Sequence, residues 1–179
     1  MKTENTALYI LRLAVTLLLI CGVVAGALAG VNAITKDSIA ANKERKTQEA
    51  LAVVLPGVQD LQKQELTGDT GIVTALYASG DSYAVEVAPM GFGGAVTMMV
   101  GVQGGKVTGI SVISHAETPS LGAEAAASNA KGEGFRSQFV GGDHFAVGEN
   151  VDAISGATIT SKAVVVGVNA ALEYVKSLG

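Results

Sequence analysis

The sequence predicts an α+β protein: an N-terminal transmembrane helix followed by one domain in which an antiparallel sheet is flanked by helices. Three observations carry this. A run of 23 uncharged residues, Leu13 to Thr35, lies near the N-terminus. Four β-type runs follow, joined in pairs by short glycine-containing turns. An apolar stripe with helical spacing closes the chain. Together they divide it into an anchor over residues 1–35, a stalk helix over 36–57 and a domain over 58–179.

The anchor is argued from length. A helix over Leu13 to Thr35 reaches roughly 34 Å, against a hydrocarbon core of roughly 30 Å. The rival is a cleaved signal peptide, since Lys2 and Arg12 precede the run and Ala27-Leu28-Ala29 has the small residues of a cleavage site. The run exceeds the usual signal core, which favours an anchor that is kept. Cys21 follows Ile20, not the small residue a lipidated cysteine requires, and reads as a small apolar residue among lipids. Gly22, Gly26 and Gly30 form a smooth stripe of the kind that packs on a second helix. Charge gives a weak orientation: Lys2 and Arg12 flank one end, while Lys36, Lys43, Arg45 and Lys46 lie beyond the other, which by the positive-inside rule points to a cytoplasmic domain.

Asp37 to Leu55 is rich in helix formers and ends at Pro56-Gly57, as a stalk helix should. From Ile72 the period changes. Ile72–Ala78 and Ser82–Ala88 flank Ser79-Gly80-Asp81, and Ala95–Gln103 and Lys106–Ser114 flank Gly104-Gly105, where positive φ is cheap. Strands joined in this way form an antiparallel sheet. A turn-rich loop, His115 to Gly122, precedes an alanine-rich stretch, Ala123 to Ala130, expected to be helical. Phe135 to Val140 is a short apolar piece. The last helix, about Ser161 to Leu178, carries Val164, Val168, Leu172 and Val175 on the face that should cover the sheet.

Composition excludes several classes. A net charge of -4 gives no general attraction for a phosphate backbone, so nucleic acid is not an expected partner. One cysteine and two histidines, His115 and His144, leave no ligand set for an iron–sulfur cluster, and no metal site is expected. Each histidine reads as an ordinary polar group. No Gly-x-Gly-x-x-Gly follows a strand, so no dinucleotide fold is marked. The aromatics, Tyr77, Tyr83, Phe92, Phe135, Phe139 and Phe145 among them, read as core.

The most informative segment is Asp152-Ala153-Ile154-Ser155-Gly156-Ala157-Thr158-Ile159-Thr160-Ser161, just before the last helix. Its plain reading is a turn with a helix cap, because hydroxyl side chains bond the free amides of a first turn. The same place is an anion site, where unpaired amides and the positive end of the helix dipole face whatever sits at Thr158. Lys162, one turn along, adds a cation there.

The pattern Asp-x-x-Ser-Gly-Ala-Thr resembles the flavinylation motif of the FMN-binding domains found in the G subunit of Rnf complexes and the C subunit of sodium-pumping NADH:quinone reductases. The resemblance implies FMN joined through a phosphoester to Thr158 by a dedicated flavin transferase that uses FAD and magnesium. It casts Ser155, Gly156 and Ala157 as the motif around the acceptor, and Asp152 as the transferase's recognition point. Upstream, His115-Ala116-Glu117-Thr118-Pro119-Ser120-Leu121-Gly122 resembles the family's Glu-Thr-Pro-Gly-Leu-Gly loop, which lies against the flavin. By that match Thr118 and Leu121 contact the ring; Glu117 bonds either the flavin or a backbone amide in its own loop. Ser120 departs from the family glycine, and carries strain if the position needs positive φ. Gly91-Phe92-Gly93-Gly94 resembles the family's aromatic-Gly-Gly segment more weakly. The chain's length leans toward the Rnf G subunit.

This implies that residues 58–179 are an FMN-binding domain that relays single electrons, without being a complete catalyst, in a membrane ion-translocating ferredoxin:NAD oxidoreductase. Its partners are then the other membrane and peripheral subunits, the flavin transferase and membrane lipid. The family layout implies a single-pass protein of the cell (inner) membrane with an extracytoplasmic domain, against the charge count. Two alternatives stay open: the flavin module of a simpler membrane-tethered reductase, or an anchored binding domain without flavin.

Overall fold

A computed structural model describes residues 6–178. The chain divides into two units, one ending at Glu44 and one running from Arg45. A single helix, α1 (Thr6–Val54), supplies all the described residues of the first unit and the opening turns of the second. In the first unit every residue from Leu8 to Ile34 is exposed, and a window with a mean hydropathy of 2.5 has nothing buried. That helix is long and apolar enough to cross a membrane.

The second unit is built on a five-stranded antiparallel sheet in simple sequential order: β1 (Gln62–Gln64), β2 (Val73–Ser79), β3 (Ser82–Val87), β4 (Thr97–Gln103) and β5 (Lys106–Ser114). The four expected strands are present within two residues of their expected ends, and the sheet is antiparallel as expected. The three polar residues of β1 were not foreseen. All are exposed, so they carry no apolar alternation, and pairing with Leu76, Tyr77 and Ala78 makes them a strand.

Both faces of the sheet are covered, which is why β3 and β4 are buried almost without interruption along their length. On one face, Ala50, Leu51 and Val54 of α1 and Leu55 just beyond it pack on Ala84, Met99 and Ile113. The helix can approach because the paired residues Gly101 and Gly109 have no side chain. A Cβ at Gly101 would meet the Val54 carbonyl and Thr108 Oγ1, and one at Gly109 would lie 3.3 Å from Val54 Cα. Gly57, at φ 84°, then turns the chain away.

The other face carries α2 (Ala130–Ser137) and α3 (Thr158–Leu178). Val164, Val168 and Leu172 are buried against Val85, Val87, Met98 and Val100, as the expected stripe requires, and Val175 packs at its edge. Gly167 lets α3 close on the sheet, since a Cβ there would run into Met98, Pro89 and Val87. Phe135 of α2 meets Phe139 edge to face with ring centres 5.5 Å apart, and Phe139 meets Phe145 at a tilt at 5.0 Å.

Two expectations on this face are corrected. The alanine-rich stretch 123–130 is not one helix: Gly122–Ala126 makes a short 3-10 turn, and α2 starts anew at Ala130. Asn129 decides this, because its side chain accepts the Gly132 amide at 2.9 Å and caps a fresh helix. The apolar piece 135–140 is accordingly the end of α2 and the turn after it. The closing helix starts at Thr158, not Ser161, since the Ala157 carbonyl already accepts the Ser161 amide at 2.9 Å.

Candidate functional site

Three segments far apart in the chain line one pocket of 340 Å³: the turn around Phe92, the loop Glu117–Gly122, and Gly156–Thr160 at the start of α3. The two motif segments singled out in the sequence are therefore brought together. Their link is Glu117, a buried carboxylate. Its Oε2 accepts the Thr160 hydroxyl at 2.6 Å, across 43 residues, and its Oε1 accepts the Gly93 amide at 3.0 Å. Glu117 thus bonds a backbone amide, but that of the turn 91–94 and not one of its own loop, and a hydroxyl of α3 besides.

The glycines around this carboxylate are required by space. A Cβ on Gly91 would fall on Glu117 Oε1, one on Gly93 on the Ala116 carbonyl, and one on Gly122 on Glu117 Oε2 and Thr160 Oγ1. Ser120 has φ 61°, so the family's glycine position does need the left-handed region, and serine occupies it under strain. His115 Nδ1 accepts the Glu117 amide at 3.2 Å, as an ordinary polar group would; His144 is exposed, and neither lines the pocket. Behind the loop, Arg136 donates to the carbonyls of Ala125 and Ala127 at 2.8 and 3.0 Å. Burial pushes its guanidinium below the ordinary value, with Glu133 opposing.

The start of α3 separates the three neighbouring hydroxyls. Ser161 Oγ is wholly buried, accepting the Ile154 amide at 3.0 Å and donating to the Ala157 carbonyl at 3.0 Å. Thr160, 1% exposed, is committed to Glu117. Thr158 alone of the three is exposed, and it lies on the pocket wall. Ala157, the residue before the helix, has no side-chain acceptor to offer, and among the described residues nothing accepts the amides of Thr158, Ile159 and Thr160. The plain capping reading therefore fails: the helix end is left open. Gly156, at φ 78°, sets the turn that delivers it.

Ser155 and Lys162 are exposed and do not line the pocket. Asp152 is exposed too, with its backbone pinned by Gln138 at 2.7 and 3.3 Å. One aromatic expectation is overturned: Phe92 is not core but 69% exposed on the pocket wall, at the tip of a turn whose glycines on either side are pressed against residues 116–117.

An open helix N-terminus beside a mostly apolar pocket fits a phosphate joined to a flat aromatic group, the two halves of FMN. Residues 91–173 match the FMN-binding domain family, so fold and site define an FMN-binding domain following a long apolar helix. Residues 1–54 match the RnfG N-terminal region. The G subunit of the ion-translocating oxidoreductase complex of Methanosarcina acetivorans is 30% identical over 94% of this chain and 95% of its own length. The G subunit of the Na(+)-translocating ferredoxin:NAD(+) oxidoreductase complex of Acetobacterium woodii is 29% identical over 94% and 93%. The corresponding protein of the proton-translocating complex of Clostridium ljungdahlii is 42% identical over 52% and 53%. The chain belongs to the family of G subunits of ion-translocating, Rnf-type oxidoreductase complexes.

Proposed function

We propose that this chain carries FMN on Thr158 through a phosphoester bond and relays electrons within a membrane ion-translocating ferredoxin:NAD oxidoreductase. The observation that carries the reading is the convergence of the exposed Thr158 hydroxyl, the three acceptor-free amides of the helix start it stands on and the Glu117 loop on a single pocket. Attachment is a group transfer from FAD: the Thr158 Oγ–P bond forms as the pyrophosphate P–O bond breaks. AMP leaves, and the hydroxyl proton passes to a base on the transferase. The free amides of 158–160 and the dipole of α3 stabilise the resulting phosphodiester charge. Exposed Lys162 supplies a further cation one turn on, and Ser155, Gly156 and Ala157 leave the transferase access. Thr118 and Leu121 meet the ring.

When bound, FMN supplies one-electron exchange with other redox centres. The chain's part is to hold the cofactor at an open surface pocket, where electrons pass to neighbours without the cofactor leaving. The sequence has no cysteine cluster, so iron–sulfur donors and acceptors belong to partner subunits. α1 fixes the domain to the lipid bilayer, and we place the domain on the extracytoplasmic side. Basic residues beyond the helix do not forbid this, because they can be translocated with a folded domain. The relatives named above differ in the ion they translocate, so the ion is not assigned.

The test is peptide mass spectrometry of the chain from its native membrane beside Thr158→Ala. A gain of one FMN less water on the Thr158 peptide, absent from the variant, is expected. An unmodified Thr158 in cells with an active transferase overturns the reading. Protease digestion of intact cells checks the orientation, and digestion confined to inverted vesicles would reverse it.

A further inference from the structure

We infer that Phe92 is a cofactor-contact residue, the aromatic platform on which the isoalloxazine ring of the tethered flavin stacks; this rests on the attachment at Thr158 proposed above. Phe92 stands at the tip of the turn Gly91–Gly94, and the turn is fastened at every point around it. Gly91 donates to the Gly94 carbonyl at 2.8 Å, Met90 bridges Ala95 at the turn's base, and Gly93 donates to buried Glu117. Neither Gly91 nor Gly93 can bear a side chain there. The segment thus fixes the backbone from which Phe92 projects, and sets its ring on the pocket wall at 69% exposure.

Among the described residues no other ring meets this one: the aromatic pairs join only Phe135, Phe139 and Phe145. A solvent-facing aromatic carried by a fastened turn on the wall of a pocket is placed to meet a flat aromatic partner, since offset stacking needs exposed apolar area held within reach. A flavin held only through its phosphate has such a ring, and the ribityl chain leaves it free to swing unless a second contact fixes it. The same carboxylate that orients this turn also binds Thr160, two residues from the attachment point. The platform and the tether are therefore set by one group.

The experiment uses the full chain, flavinylated in cells, purified in detergent and checked by mass for flavin on Thr158. Tryptophan in contact with a flavin quenches its fluorescence by electron transfer, an effect lost within a few ångströms of separation. Phe92→Trp is therefore expected to abolish most flavin fluorescence, while Val140→Trp, at an exposed site outside the pocket, leaves it intact. Phe92→Ala is expected to lower flavin fluorescence anisotropy, as the ring is released. Flavinylated Phe92→Trp that fluoresces as wild type, quenching of equal size in both tryptophan variants, or unchanged anisotropy in Phe92→Ala would each overturn the platform and leave the attachment standing. A chain without flavin in the wild type would overturn both.

Discussion

Two helix ends meet the domain, and the chain treats them differently. At its C-terminal end α1 is closed by the chain itself: Thr108 Oγ1 donates to the Val54 carbonyl at 2.6 Å, the Leu55 amide bonds the Leu51 carbonyl, and two glycines clear the sheet so the backbone can sit on it. At its N-terminal end α3 is left open, with alanine where a cap would stand and amides that no group among the described residues accepts. Helix ends cost stability unless their orphan groups are met. An end satisfied internally is a structural joint, whereas an end kept open beside a pocket is reserved for something from outside.

The largest predicted effect breaks the joint. Gly101→Val would drive a branched side chain into the Val54 carbonyl and Thr108, and should cost about 3 kcal/mol. The melting temperature of the full chain in detergent measures it; a change under a few degrees would show that the helix end yields. Next comes the clamp beside the open end. Glu117→Ala leaves the Gly93 amide and the Thr160 hydroxyl without their acceptor, at a cost of about 2 kcal/mol, and lowers flavin incorporation by loosening two pocket walls. Wild-type stability and flavin content in that variant would remove Glu117 from its role as link.

The contrast also explains what could be read from the sequence. The packed elements were legible because burial leaves a pattern: Val164, Val168 and Leu172 recur on one face of α3, and β4, covered on both faces, is a near-continuous apolar run. β1 has no such pattern, since its residues are all exposed and its existence depends on its neighbour. At the open end the motif named Thr158 and passed over Thr160 and Ser161; that the latter two are buried and Thr158 exposed could be seen only in the fold. Phe92 reads as core from sequence because an aromatic residue is normally an interior one, and the glycines on either side of it signal merely a turn until Glu117 and the Ala116 carbonyl are seen against them. Ser120 was legible as a question, and its φ of 61° supplies the answer.

That answer predicts a smaller effect of opposite sign. Ser120→Gly relieves a left-handed residue in the pocket loop and should stabilise the chain by about 1 kcal/mol, read as a rise in melting temperature. A fall would mean that the serine side chain contributes more than its backbone costs. The gain belongs to the pocket side alone, because the joint between α1 and the sheet contains no residue of this loop.

The smallest effect on stability should come from Thr158→Ala, and it sharpens the comparison most. If the exposed hydroxyl capped α3, its loss would cost about 1 kcal/mol, as at other helix starts. It bonds nothing among the described residues, so the flavin-free chain should melt within about 0.5 kcal/mol of the flavin-free wild type. Thr108→Val, by contrast, removes the donor that closes α1 and should cost about 1 kcal/mol. Both changes remove one hydroxyl at a helix end, and only the closed end should register it. A cost at Thr158 equal to that at Thr108 would make the start of α3 a second structural joint, with its amides met in solution by the chain's own hydroxyl. A cost near zero, with flavin lost completely, is what an end held open for a phosphate requires.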